Sequence, residues 1–273
     1  MKEVIQEYEE LTFANNFIFC KIMQNYPDLC KELVELILNR KIGNIVSNNS
    51  EQVIETSPDG KGVRLDVFFE DDLSCMYDIE MQVISNTDLP RRSRFYQSIM
   101  DNRDLEKGYD YTELRDSYII FICPFNIKKK HGLHVYTFQP RAKEDPSIVL
   151  KDGTNRIFVC AKGHQEDVSD DMKSFLEYLT GALSDNSLVQ RLDDAVKIAR
   201  KSKEWRAEYM LTHQDKLIMQ HRFEAVIAQK DLTIAEKDSA LAEKDSTISE
   251  LSAEIESLKA QLKEIQGGDS SEK

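Results

Sequence analysis

Gly62 to Val83, GVRLDVFFEDDLSCMYDIEMQV, constrains the fold more than any other stretch of the chain. It reads as two strands joined by a short acidic turn. Side chains on a strand point alternately to its two faces. On the first strand Val63, Leu65, Val67 and Phe69 share one face, opposite Arg64, Asp66 and Phe68. On the second, Cys75, Tyr77, Ile79, Met81 and Val83 share a face, opposite Met76, Asp78, Glu80 and Gln82. A hairpin turning around Asp72 and Leu73 sets Asp66 beside Glu80.

Like charges opposite each other across a sheet are destabilising. A divalent cation, or a carboxyl pKa raised enough to hold a proton, removes that repulsion. The pair therefore points to a metal-dependent catalytic site. The plainer reading is a solvated face, the usual fate of charged residues on one side of a hairpin. Asp78 lies on the same face and reads first as a solvated strand residue, and second as a further ligand or a supporting group.

The rest of the chain supplies an α/β framework. Residues 3–40 read as two helices broken near Pro27, with Phe17, Cys20, Ile22 and Met23 and then Leu29, Leu33, Leu36 and Ile37 as an apolar stripe. Residues 41–61 read as irregular, ending in the turn signal Pro58-Asp59-Gly60. Pro90 suits the first turn of a helix running to about Leu105, with Gly108 as its stop. Ser117–Phe125 is a continuous apolar run of the kind buried inside a sheet. Two further strands, His134–Gln139 and Arg156–Ala161, precede helices at 167–183 and 187–208. This order predicts a mixed β-sheet flanked by helices.

From Ile227 the sequence repeats every seven residues. One column reads Ile227, Ile234, Leu241, Ile248, Ile255 and Leu262; three positions on, it reads Lys230, Lys237, Lys244, Leu251, Leu258 and Ile265. Two apolar columns make a coiled coil. Only the second half, Ile248 to Ile265, satisfies this, so a homo-oligomer joined there is expected. The alternative is a solitary charged helix.

Composition narrows the function. The 273 residues carry a formal charge of −13, which argues against tight nonspecific nucleic-acid binding over the whole surface. Two local clusters run the other way: Arg91, Arg92, Arg94 and Arg103 on the central helix, and Lys128, Lys129, Lys130 and His131 after the apolar strand. Both suit phosphate contacts; ordinary solvation, or pairing with surplus acids, is the plainer reading. Cys20, Cys30, Cys75, Cys123 and Cys160 have no CxxC spacing and read as free thiols in a reducing compartment. The five histidines are scattered. Met1 opens a polar, acidic segment, and no apolar run is long enough to span a membrane. A cytoplasmic address is expected.

An Asp followed, after thirteen intervening residues, by Glu-x-Gln resembles the PD-(D/E)XK nuclease superfamily, most closely its recombination-promoting nuclease and transposase branch. The resemblance extends over about residues 5–180. Leu11–Met23 resembles the family's opening helix, Arg64–Val67 and Asp78–Gln82 its core strands, Pro90–Ile99 its central helix and Tyr118–Cys123 its next strand. It implies a restriction-endonuclease-like fold over 1–185, followed by a helical linker at 186–226, the coiled coil at 227–266 and a disordered tail at 267–273. It also implies a DNA endonuclease using Mg²⁺, or Mn²⁺, in recombination, mobile-element or defence biology. Asp66 and Glu80 would bind the metal. Gln82 would orient the water, in the place of the superfamily's usual lysine. Arg94, Tyr96 and Gln97 would hold the substrate. Asn16 stands where the family often has an acid. A second reading therefore stays open, a catalytically lapsed nuclease fold that binds DNA or protein and recruits partners through its coiled coil.

Overall fold

A computed structural model describes residues 7–50, 53–54, 63–85, 88–105, 108 and 110–268. The expected turn at Pro58–Gly60 lies outside them. Of the expected tail, Gly267 and Gly268 belong to the last helix, and the remainder lies outside. The chain divides into two units between Tyr209 and Met210.

The first unit is built on a six-stranded mixed sheet. Its strands are β1 (Ile45–Ser50), β4 (Val67–Asp71), β5 (Met76–Met81), β6 (Ser117–Cys123), β7 (Val135–Phe138) and β8 (Thr154–Cys160), in the order β1-β4-β5-β6-β8-β7. β5, β6 and β8 run parallel, and antiparallel pairs close both edges. A separate two-stranded ribbon pairs β2 (Val53–Ile54) with β3 (Val63–Arg64).

The apolar run at 117–123 is buried on both faces, as a central parallel strand must be. Tyr118, Ile120 and Ile122 join one core with α1 (Asn16–Asn25), α2 (Pro27–Leu38), α4 (Asp170–Leu179) and α5 (Ser187–Lys201). Ile119, Phe121 and Cys123 join the other, covered by α3 (Leu89–Asp104). Local chemistry sets these helices. The Asn15 side chain caps α1 through Phe17 N and Ile18 N, Pro27 opens α2 where its missing N–H costs nothing, and Ser169 and Asn186 cap α4 and α5.

Two expectations change. Residues 45–50, expected to be irregular, form the edge strand β1; the polar IVSNNS carries no two-faced pattern because it pairs on one side only. Residues 187–201, expected as a helix of the linker, do form a helix, but its Leu188, Val189, Leu192, Ala195, Val196 and Ala199 are buried in the main core. The last helix, α6 (Lys203–Gly268), starts in the first unit, where Trp205 and Tyr209 pack on the same core. In the second unit the column Ile248, Leu251, Ile255, Leu258 and Leu262 is more than half exposed along α6. No described helix is long and apolar enough to cross a membrane.

The β4–β5 hairpin turns through Asp72, Leu73 and Ser74, with Ser74 in the left-handed region at φ 61°. Buried Asp71 holds the turn. Its carboxylate accepts from Leu73 N (3.1 Å), Cys75 N (2.9 Å), Gly43 N (2.9 Å) and the Tyr77 hydroxyl (3.0 Å). The turn packs closely on Gly43, where a Cβ would fall 2.2 Å from an Asp72 side-chain oxygen. Asp71→Ala leaves four donors short of a partner and is expected to destabilise by at least about 2–3 kcal/mol. Urea denaturation checks it: a loss under about 1 kcal/mol would mean that water replaces the carboxylate.

Candidate active site

β5 has no wet face. Tyr77, Ile79 and Met81 enter the main core, whereas Met76, Asp78 and Glu80 point toward α3 and are equally buried. The expectation of a solvated Asp78 is corrected: it is 0% exposed, because the β5–α3–β6 crossover lays α3 over that face.

The register pairs Val67 with Ile79 and Phe68 with Asp78, so the next pair is Asp66 and Glu80. The first strand breaks there. Leu65 and Asp66 lie between β3 and β4, and Leu65 turns into the core beneath α3 instead of sharing a face with Val67. The break frees the Asp66 N–H, which donates to Glu80 Oε1 at 3.0 Å. In return Asp66 Oδ2 accepts from Met81 N at 3.2 Å and from the Asn16 amide at the start of α1. Of the acids that precede Asn16, Glu9 is paired with Arg206 at 2.7 Å.

Arg92 is the cation of this cluster. From the first turns of α3 it donates to Gln82 Oε1 (2.6 Å) and to the Tyr96 hydroxyl (2.8 Å), and lies 3.5 Å from Glu80 Oε2. Its guanidinium also sits over the Tyr96 and Phe121 rings, 5.4 and 5.5 Å from their centroids. Gln82 Nε2 donates to Ile84 O at 2.5 Å, so the amide is fixed at both ends.

The structure thus gathers Asp66, Glu80, Gln82 and Tyr96, and adds Asp78, Arg92 and Asn16. It does not gather Arg94 or Gln97. Arg94 is exposed, two residues from Arg92 and so on another side of the helix. Gln97 is buried and spends its amide nitrogen on Ser117 Oγ (2.7 Å) and Asp101 Oδ1 (2.8 Å), at the opposite end of β6 from Phe121. The expectation of a substrate contact from Gln97 gives way to an internal tie. Arg92 had a signal in the sequence, its i,i+4 spacing to Tyr96, which puts both on one helix face.

A family model described as PD-(D/E)XK nuclease family transposase matches residues 16–217. The chain belongs to this family. No curated protein and no solved structure matches it. The match runs through α5, in keeping with that helix's place in the core.

Family members of this kind generally use divalent metals, and the donor set here suits one. It is all oxygen, as a hard cation prefers. Neither carboxylate oxygen of Asp78 has a hydrogen-bond donor. Buried Asp78 and Glu80 and half-buried Asp66 share one guanidinium, which leaves two negative charges uncompensated when all three are ionised. A divalent cation balances that excess; otherwise protons must. Among the described residues no three acidic, histidine or cysteine side chains are already drawn together as a metal-binding group.

Burial, followed by the Asp66 charge, raises the Asp78 carboxyl well above its ordinary value. Burial, followed by Asp78 and Asp66, does the same to Glu80. The two acids are close enough to share one proton. The folded chain then holds protons that the unfolded chain releases near the ordinary values of 3.8 and 4.5. Stability present below those values is lost as pH rises through the raised folded values. Without divalent metal, the melting temperature is expected to fall from about pH 4 upward. Asp78→Asn is expected to raise it at neutral pH and flatten the fall, and melting curves in chelator across that range check both. An unchanged profile in the variant would show that Asp78 carries no such strain.

Proposed function

We propose that this chain is a Mg²⁺-dependent DNA endonuclease that hydrolyses phosphodiester bonds. The observation carrying the reading is the convergence of Asp66, Asp78 and Glu80 with Arg92 in a buried cluster, in a chain of a nuclease family. Asp66 and Glu80 would hold the metal, with the Met81 backbone beside them. When bound, Mg²⁺ supplies Lewis acidity and a water of lowered pKa. Gln82 keeps one N–H and one lone pair after its bonds to Ile84 and Arg92, enough to aim a water. A lysine at position 82 would add charge. Here Arg92 supplies the charge from α3. The Tyr96 hydroxyl, which accepts from Arg92, keeps its proton to donate to a phosphate oxygen, and burial with the Glu80 charge pushes its pKa up to about 12. Arg94 faces solvent at the same helix end, open to a phosphate contact. Buried free Cys20, Cys30, Cys123 and Cys160 accord with a cytoplasmic address.

A second reading is favoured by one contact. The Asn16 amide occupies Asp66 Oδ2, a position the metal needs, which suits a lapsed nuclease fold kept for binding. Nicking of supercoiled plasmid with Mg²⁺ or Mn²⁺ separates the two. Glu80→Ala is expected to lose at least about a hundredfold, beyond the 10–100-fold of an outer-shell change. Equal nicking by both proteins would locate the activity elsewhere. No nicking by either, with no metal-dependent rise in melting temperature, would leave the binding fold.

The exposed column on α6 supports a homo-oligomer joined along Ile248–Leu262, which would give an enzyme cutting two strands its two sites. Light scattering is expected to give a multiple of the chain mass, and the chain mass itself for Leu251→Asp/Leu258→Asp. A monomeric native chain would refute the assembly.

A further inference from the structure

β6 and β8 are parallel and end side by side, Cys123 opposite Cys160, and Met81 of β5 lies opposite Ile122. The segments leaving β6 and β8 therefore emerge at the sheet edge that carries Glu80 and Gln82. They bring four exposed lysines: Lys128, Lys129 and Lys130 from one, and Lys162 from the other.

These lysines are held together by the backbone. Asn126, only 7% exposed, accepts from Lys128 N (2.8 Å) and donates to Leu133 O (3.3 Å) and Lys162 O (3.4 Å), binding the two segments to each other. The Tyr136 hydroxyl accepts from Leu133 N (3.0 Å) and lies 3.2 Å from Lys128 O. Gly132, at φ +69°, accepts from His164 N at 2.8 Å; a Cβ there would lie 1.9 Å from the His164 ring. Lys129 and Lys162 line one cleft of ≈ 310 Å³ with Phe125 and Asn126.

Among the described residues none of the four lysines has a carboxylate within ion-pairing distance, although the chain carries a charge of −13 and pairs Lys21, Lys41, Arg115, Arg191 and Lys197 with acids. Of the acids in the second segment, Asp167 is spent on His134 N (2.9 Å), and Glu166 is exposed. Four like charges fixed on a pinned frame repel one another, and a polyanion relieves that repulsion.

We propose that Lys128, Lys129, Lys130 and Lys162 form a phosphate track that holds the backbone of duplex DNA along the edge of the carboxylate cluster. Lysines act there as point charges, so the track reads no sequence and supplies salt-dependent affinity. The choice of DNA rests on the nuclease reading; the track itself rests on the unpaired, pinned lysines.

The test is fluorescence anisotropy of a short labelled duplex with the full chain, in Ca²⁺ in place of Mg²⁺, across a salt series. Lys129→Gln/Lys162→Gln is compared with the charge-matched Lys143→Gln/Lys151→Gln, whose lysines lie in the β7–β8 loop at the opposite edge. The first pair is expected to bind at least about tenfold more weakly at low salt, with a slope of log K against log salt shallower by about two, at about 0.9 per phosphate. The second pair is expected to match the native chain, and all three proteins to melt alike. Native binding and slope in the first pair, equal losses in both pairs, no binding by the native chain, or tighter binding to anionic vesicles than to duplex would each overturn the track. Binding that needs these lysines, in a chain that never nicks plasmid, would support the track and refute the nuclease. Nicking with duplex affinity untouched in the first pair would do the reverse.

Discussion

Everything at the carboxylate edge depends on α3 lying over the acidic face of β5. Once Asp78 and Glu80 are removed from water, each charge left without a partner costs several kcal/mol. Arg92 is the partner that helix brings, and it holds Glu80, Gln82 and Tyr96 together. A long side chain can do this only if its helix cannot shift. The far end of α3 is tied down accordingly. Arg115 joins Asp104 to Glu70 of β4, and Gln97 bonds Ser117 at the start of β6. The polar contacts along α3 form one system, in which the internal ties at one end fix the geometry of the acids at the other.

The sequence reveals the faces of the hairpin but not what covers them. A period of two assigns Asp66, Asp78 and Glu80 to one side, and the turn at Asp72–Ser74 fixes which residues meet. Whether that side is wet depends on the path of the chain after Gln82, a long-range matter that local pattern does not contain. The same limit separates Arg92 from Arg94. Both are arginines in a polar helix, and only the position of the sheet tells which one turns inward. β1 escaped notice because an edge strand with one partner needs no alternation. α5 was legible as a helix, but its place in the core was not, although the spacing of Leu188, Val189, Leu192, Ala195 and Val196 gives it one apolar face. The identity of the core strands, the central helix and the acid pair was legible because each rests on contacts close in sequence or on strict periodicity.

Asn16 and Gln82 alter the electrostatics of the site in opposite ways. An acid at position 16 would add a fourth carboxylate to Asp66, Asp78 and Glu80; the amide donates to Asp66 instead and holds its carboxylate in place. A lysine at 82 would add a cation beside Glu80; the glutamine accepts from Arg92 and moves the positive charge to α3. Relative to an acid and a lysine at these positions, the two amides take away one negative and one positive charge, and Arg92 brings a cation back beside Glu80.

A charge of −13 is a poor guide to what this protein touches, because the charges are segregated. Within the first unit, acids populate the exposed sides of α4 and α5, whereas the unpaired lysines collect where β6 and β8 end. Exposed charges more than a Debye length apart, about 8 Å at physiological ionic strength, hardly act on each other. A polyanion at the end of β6 and β8 meets the four unpaired lysines at short range. The acids near that edge are exposed Glu166, Asp167, which is held by His134 N, and the buried pair beside Arg92, Asp78 and Glu80. Net charge sets solubility and background repulsion; the local balance at one edge decides whether a phosphate backbone can settle there.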